Sequence, residues 1–365
     1  MEKYDLLIVG NGYDLESGFK TSYIDFLNSF LNSGIRNYLI SFFRSAYDRG
    51  VVVNNEWNGF ENLLCQYLQF LDYLFKDNDN IERRFVEQYY DPYGNAIHRY
   101  YLITIKDFSK LPQNILLILS LINPLERLLI ISPQLSNMYA EDYENVKEVT
   151  LKVFVNSTLI QSNHKYVRSL LLKELAKRLN DLENELKQYI SISTGKSIPL
   201  DSMVLDIKAD RIVSFNYSKT AQTVCELSDD KVAYVHGDID SEIVVGVEQS
   251  MIDNQSFIEE SDYILFFKRF RRIYKNCNKG YNNKIINQLS KESTIAIYGH
   301  SLDLADRSLL QPLFAKKYKR YDIYCFKDVD PYKLKLVNLI GLDLYDELEK
   351  EERIRLIKVE DKPNK

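Results

Sequence analysis

The chain has 365 residues, which exceeds the usual size of one compact core and implies one large domain carrying an insertion, or two domains. Hydrophobic residues make up 45% and charged residues 27%, with 27 tyrosines and 18 phenylalanines; these proportions exclude global disorder and describe an aromatic-rich interior. Its 52 acidic and 47 basic side chains leave a formal charge of −5, which argues against wholesale wrapping of nucleic acid and confines any such contact to a local basic patch.

Met1 to Gly10 carries Glu2, Lys3 and Asp5 before a short apolar run, too short and too charged for a secretory signal, so a cytoplasmic location is expected. Tyr4 to Val9 reads as a buried parallel strand feeding the tight turn Gly10-Asn11-Gly12. Ser22 followed by Asp25 matches a helix capping box, and Ile24, Phe26, Leu27, Phe30 and Leu31 supply an apolar stripe up to Gly34. From Ile35 to Pro199 the periodicity is helical, clearest over Trp57 to Phe75 and Asn163 to Ile190. Ile115 to Ile122 is the longest apolar stretch; it stops at Asn123-Pro124, well short of a bilayer span, and predicts a buried core helix. Leu175, Leu179, Leu182, Leu186 and Tyr189 keep four-three spacing, with Glu183 and Lys187 as an i,i+4 pair beside them. That stripe predicts a helix pair within one subunit, with a dimer seam as the alternative.

Strand signals return after Leu200, at Arg211 to Phe215, Val232 to His236, Ile243 to Val247, Thr294 to Tyr298 and Asp322 to Phe326. The second and third of these are spaced as a hairpin; the others alternate with helical stretches such as Ser256 to Asn276. The expected architecture is therefore Rossmann-like α/β, a largely parallel sheet with a large all-helical insertion after the first strand-helix unit. Its parts are residues 1–34 for the first strand, turn and helix, 35–200 for the insertion, and 201–365 for the rest of the sheet.

In a doubly wound sheet, ligands bind at the carboxyl ends of strands, and the suggestive residues fall there. Gly10 and Gly12 let the backbone approach a phosphate, although Leu15 stands where G-x-G-x-x-G has its third glycine; a tight turn without ligand is the alternative. Asn216 follows a strand and fits either a ribose- or water-orienting amide or a helix N-cap. His236 precedes Gly237 on the same rim, as a general base or as a hydrogen-bonded strand terminator. Gly299, His300 and Ser301 end another strand, suited to phosphate or ribose at a helix start, with Asp306 beyond as a ligand group or a cap.

Lys268, Arg269, Arg271, Arg272 and Lys275 alternate with Phe267, Phe270 and Tyr274, and read as a solvated helix face in preference to a phosphate-binding one. Trp57 and Glu61 stand one helical turn apart, the indole for packing and the carboxylate for a polar partner. Cys65, Cys225, Cys277 and Cys325 form no C-x-x-C pair and read as reduced thiols; neither they nor the four histidines reach metal-ligand spacing, so no metal is expected. His98 and His164 are assigned to structure or surface.

The run Gly10-Asn11-Gly12-Tyr13-Asp14-Leu15, then Gly18-Phe19-Lys20-Thr21-Ser22-Tyr23, resembles the opening of the bacteriophage abortive-infection AbiH family. Trp57 with Glu61, Phe215-Asn216-Tyr217 with Thr220, His236-Gly237 with Gly246, the Phe266 to Tyr274 helix, and Gly299-His300-Ser301-Leu302 with Asp306 resemble that family's later blocks. The resemblance implies an antiphage role inside a bacterium, harmful to the host once triggered, with a phage-derived trigger among the expected partners. The order of these blocks is also similar, more distantly, to sirtuin-like proteins, in which the corresponding Asn and His act on NAD.

That similarity implies catalytic roles for Asn216 and His236. It also implies NAD contacts at Gly10, Asn11, Gly12, Asp14, Gly237, Gly299, His300, Ser301 and Asp306. Here the turn is Gly-Asn-Gly where sirtuins have Gly-Ala-Gly, Ser218 occupies the place of an acidic residue, and zinc cysteines are missing, so NAD cleavage is expected in place of deacylation. The alternatives are a nucleotide-binding sensor without turnover, reporting through a change of assembly, and an RNA- or DNA-directed effector using the Lys268 to Lys275 run.

Overall fold

A computed structural model of the protein describes residues 2–29, 38–51, 57–76, 78–89, 97–121, 131–133, 149–154, 164–199, 202–249, 262–277, 281, 285–326 and 328–359. Strands β1 (Glu2–Tyr4) and β2 (Leu6–Val9) replace the single strand expected over Tyr4 to Val9. The break falls at Asp5, whose carboxylate accepts the Thr294 N–H at 2.7 Å. Helices α1 (Asn11–Glu16) and α2 (Tyr23–Asn28) follow, the second with the predicted capping box between Ser22 and Asp25.

The insertion holds α3 (Tyr38–Asp48), α4 (Trp57–Phe75), α5 (Gln113–Leu121) and α6 (His164–Ser193), matching the three helical stretches read from the sequence. It is not all-helical. Strands β3 (Ile81–Tyr89), β4 (Ile97–Ile105), β5 (Ile131–Pro133) and β6 (Val149–Phe154) form an antiparallel sheet in the order β3-β4-β6-β5. The physical reason stands in β4 itself: Tyr100, Tyr101, Ile103, Thr104 and Ile105 are aromatic or β-branched types that favour a pleated surface. Of the predicted stripe, Leu175, Leu179, Leu182 and Leu186 are fully buried in the insertion's core and Tyr189 packs partly buried against it, which favours the intrasubunit helix pair over the dimer seam. Residues 30–37 and 250–261, and with them the end of the first predicted helix and the start of the Ser256 to Asn276 one, lie outside the described residues, as does the Trp57 side chain.

Strand β7 (Ile207–Ala209) pairs with β1 in a separate two-stranded sheet, and the central sheet resumes with β8 (Ile212–Ser214) and β9 (Val232–Tyr234). Helix α7 (Thr220–Cys225) lies between those last two. The expected hairpin between Val232 and Val247 does not form. Strand β9 runs parallel beside β8, and Ile243, Val245 and Val247 turn instead into the insertion's core. After α8 (Lys268–Tyr274) come β10 (Thr294–Tyr298), α9 (Arg307–Ala315), β11 (Arg320–Phe326), α10 (Asp330–Ile340), α11 (Leu342–Lys350) and β12 (Ile354–Val359).

Six strands make one wholly parallel sheet in the order β12-β11-β10-β2-β8-β9. Counted along the chain from β2, that order is 3-2-1-4-5-6, the doubly wound arrangement of dinucleotide-binding folds. Period-two alternation sends Leu6, Ile8, Ile295 and Ile297 to one face, under α9, α10 and α11. Leu7, Val9, Ala296 and Tyr298 go to the other, with Tyr13 of α1 and Ala221 of α7.

Candidate functional site

The winding direction reverses between β2 and β10, so the backbones leaving Val9 and Tyr298 diverge and open a crevice at the carboxyl edge. Glycines let the two departing turns touch. A Cβ on Gly10 would lie 2.5 Å from His300 Cα, and one on Gly12 would lie 2.7 Å from Gly299 Cα. Gly299 has φ +68°, and its Cβ would fall 2.2 Å from the Tyr13 nitrogen. The amides are engaged within the protein: Gly10 N–H donates to Tyr298 O at 3.1 Å, Gly12 N–H to Gly299 O at 2.8 Å and Tyr13 N–H to Gly10 O at 2.9 Å. Gly299→Ala is expected to destabilise the fold by about 3 kcal/mol, from left-handed strain plus overpacking, read as a lower urea midpoint. A loss below about 1 kcal/mol would show that the turns can separate.

Asn216 is buried just past β8. It caps nothing, since α7 begins at Thr220 with Lys219 at its cap; instead its Nδ2 donates to Gly10 O at 2.9 Å and ties β8 to the β2 turn. Asp14, buried on α1, accepts the Ser218 hydroxyl at 2.7 Å on each oxygen, and the Thr220 hydroxyl donates to Ser218 at 3.0 Å. Burial pushes the Asp14 carboxyl up to about 6, against the lowering effect of hydrogen bonds from Ser218, Thr220 and Asn216. Asn11 turns its side-chain oxygen to the Thr21 hydroxyl at 2.8 Å.

Asp306 is the hub of the opposite wall. Its Oδ1 accepts from His236 Nε2 at 2.9 Å and lies 3.4 Å from Lys268 Nζ, while Oδ2 lies 3.5 Å from His300 Nε2. The Leu302 N–H donates to His300 Nδ1 at 2.9 Å, which leaves the His300 proton on Nε2, toward Asp306. Burial works to raise the Asp306 carboxyl, but Lys268, His236 and the hydrogen bonds from both histidines outweigh it and hold the group well below the usual range.

An ionised Asp306 can only accept, so the His236 proton sits on Nε2 and Nδ1 keeps its lone pair. That Nδ1 is buried and has no partner among the described residues. Burial lowers His236 to about 4, with Lys268 and Arg272 adding to the effect and Asp306 opposing it, so the ring is neutral near pH 7. Phe215 packs edge-on against both imidazoles, its ring centre 5.6 Å from that of His236 and 4.4 Å from that of His300.

The insertion completes the site. Glu61 of α4 reaches in to hold Lys268 Nζ at 2.6 Å, and Ile190 of α6 lines the same space. One ammonium is therefore shared by two carboxylates. Burial pushes Glu61 up to about 7; Lys268 pulls it down, and the Asp306 and Glu248 charges push it further up.

The basic run is not the solvated face its composition predicts: Lys268, Arg271 and Arg272 are buried. Arg271 Nη2 and Lys275 Nζ meet Glu183 of α6 at 2.6 and 2.5 Å, so Glu183 reaches these cations in place of the expected Lys187. Gly237 does not line the crevice; its φ of +80° closes a turn in which a Cβ would meet Glu242 O at 1.8 Å. Ser301 does line it, but α9 starts only at Arg307, so Ser301 is at no helix start. Asp306 precedes α9 without a side-chain capping bond. Sequence patterning places Lys268 in a basic run and Glu61 one turn from Trp57; only the tertiary fold brings the two into the site.

The topology and the crevice of about 290 Å³ at its switch point define a Rossmann-like α/β protein with a ligand-sized site built jointly by sheet and insertion. The chain belongs to the bacteriophage abortive infection AbiH family, whose model matches residues 6–326, and a role in abortive infection follows from that membership. No curated protein and no solved structure matches the chain. Among the described residues, no helix is long and apolar enough to cross a membrane.

Proposed function

We propose that this protein carries out abortive infection by hydrolysing NAD in the switch-point crevice. The observation that carries the reading is the His236 ring. Its ring lines the crevice, its Nε2–H is held by Asp306, and its Nδ1 is buried with no partner among the described residues. A neutral imidazole oriented by a carboxylate is a general base, and such a base contributes about 10²- to 10⁴-fold in rate. In the proposed reaction the bond from the ribose carbon to the nicotinamide nitrogen breaks, its electron pair going to the pyridinium ring, which leaves neutral. A water oxygen bonds to that carbon and its proton passes to His236 Nδ1, giving ADP-ribose, nicotinamide and, on release to solvent, a proton.

The sugar becomes oxocarbenium-like on the way, and Asp14, Glu61 and Asp306 supply a negative wall for that charge. Asn216 supports the geometry through Gly10, holding the floor on which the ribose would rest. Loss of NAD halts a cell, which fits a response that sacrifices the infected host.

His236→Ala is expected to abolish both NAD loss during infection and protection, with cellular NAD measured by chromatography. Undiminished NAD loss in that variant would remove His236 from the chemistry. A second reading, a nucleotide sensor without turnover, is favoured by Glu61: a ligand touching a side chain of the insertion couples occupancy to the position of that unit. It requires intact ligand after incubation and a ligand-dependent change in assembly. The nucleic-acid reading loses support, because three of the cations it needs are buried.

A further inference from the structure

We infer that the crevice recognises its substrate at the cationic nicotinamide-ribosyl end, so that its substrate class is N-ribosyl pyridinium compounds, with the pyrophosphate left outside the contacts. The inference rests on the hydrolase reading above and names what that site selects. Three independent features carry it.

The first is the hydrogen-bond inventory of the early turn. A diphosphate is ordinarily cradled by free amides of the glycine loop and the following helix. Here the amides of Gly10, Gly12 and Tyr13 all donate to backbone carbonyls, and α1 is six residues long. The Asn11 side chain is engaged as well, with Thr21. Those three amides and that side chain are spent within the protein and leave the turn little with which to hold a diphosphate.

The second is the sign of the wall. Asp14, Glu61 and Asp306 face the crevice, and Lys268 is the one lysine or arginine among the lining residues. Its ammonium is already held between Glu61 at 2.6 Å and Asp306 at 3.4 Å. The nearby guanidinium of Arg272 donates to Ser308 at 3.3 Å and does not line the crevice. Both histidines present their Nε2 to Asp306, and His236 is neutral. With Glu61 only half-ionised near pH 7, Asp14 and Asp306 still outweigh the one ammonium, and the negative surplus attracts a pyridinium cation and repels a diphosphate, the more so between low-dielectric walls.

The third is size. The cavity of about 290 Å³ sits at the foot of the range, about 300–1,000 Å³, that encloses drug-sized ligands. That suits a nucleoside and leaves the remainder of a dinucleotide outside. Leu15, Phe326 and Tyr332 at the wall offer apolar and aromatic surface to a flat cationic ring.

Two measurements on the full-length protein test the inference separately from the hydrolase reading. Calorimetry on the wild-type protein compares 1-methylnicotinamide, a pyridinium cation with no glycosidic bond, with uncharged nicotinamide and with ADP-ribose. The cation is expected to bind at least about tenfold more tightly than nicotinamide, with ADP-ribose weaker than either. Tighter binding of ADP-ribose than of the cation would overturn the inference, whether or not NAD is cleaved.

Nicotinamide release from nicotinamide riboside and from NAD is then followed by chromatography. The expected kcat/KM values agree within about tenfold, since the phosphates add little. Cleavage of NAD with the riboside slower by about a thousandfold or more would overturn the inference and leave the hydrolase reading standing. Cleavage of neither, with the cation preferred in calorimetry, would overturn the hydrolase and retain the selectivity of the crevice.

Discussion

Replacing Asp306 with asparagine is expected to lower NAD cleavage by about a hundred- to ten-thousandfold while leaving the sheet folded. Three donors converge on this carboxylate, and two of them, His236 Nε2 and Lys268 Nζ, use the same oxygen, Oδ1. An asparagine there has an amide that can itself donate to Nε2, which would move the His236 proton to Nδ1 and remove the lone pair the reaction needs. It also loses the charge that would stabilise the imidazolium formed when Nδ1 takes a proton. Lys268 would remain paired with Glu61, so the cation is not stranded and the fold is expected to survive. Nicotinamide release reads the rate, and a denaturation curve reads the fold. Activity within about tenfold of wild type would mean that His236 is neither oriented nor supported by Asp306.

The largest loss of stability is expected from Glu183→Ala, about 3–5 kcal/mol by urea denaturation. Glu183 lies at 1% exposure on α6 and takes the guanidinium of Arg271, the ammonium of Lys275 and the Val245 N–H at 2.6 Å. Alanine would leave two cations in a low-dielectric seam. Arg271 would keep only Asn180 Oδ1 and the Leu265 carbonyl, and Lys275 would keep the Ile243 carbonyl and the outlying Glu242. Because the seam joins the insertion to α8, whose first residue is Lys268, the loss is expected to lower activity too. Unchanged stability would show that water enters the seam and solvates the cations.

The parts of the fold legible in the sequence are those set by neighbours along the chain. Thr294 to Tyr298 was marked by a short apolar run stopped by Gly299, and Trp57 to Phe75 by apolar residues at helical spacing; the structure places both within those bounds. The capping box at Ser22 was equally local. What was hidden depends on distant partners.

The hairpin expected at Val232 competed with parallel pairing to β8, and nothing within that stretch decides between them. Strand β12, with charges alternating among Ile354, Leu356 and Ile357, is a strand only because β11 lies beside it. Lys268, Arg271 and Arg272 carry the composition of a wet helix face; they are buried because Glu61, Asp306 and Glu183 arrive from elsewhere to pair or neighbour them. The crevice itself was partly legible, because strand ends carry glycine, asparagine and histidine. The convergence of His236 and His300 on one Asp306 oxygen pair is a tertiary fact.

The strand order also sets a timetable. Ile8 of β2 pairs with Val213 and Ile297, so the central strand is made first and its neighbours follow about 200 and 290 residues later. At ribosomal rates of about 5–20 residues per second, β2 waits about 10–40 s for the first of them. Most of the insertion's core, from α3 to α6, emerges in that interval, while Ile243, Val245, Val247 and Phe266 join it only later. Gly299, His300 and Asp306 leave the ribosome late, so a nascent or truncated chain holds His236 and Lys268 without the carboxylate that both meet. On the proposed mechanism, unfinished copies therefore lack the group that orients His236.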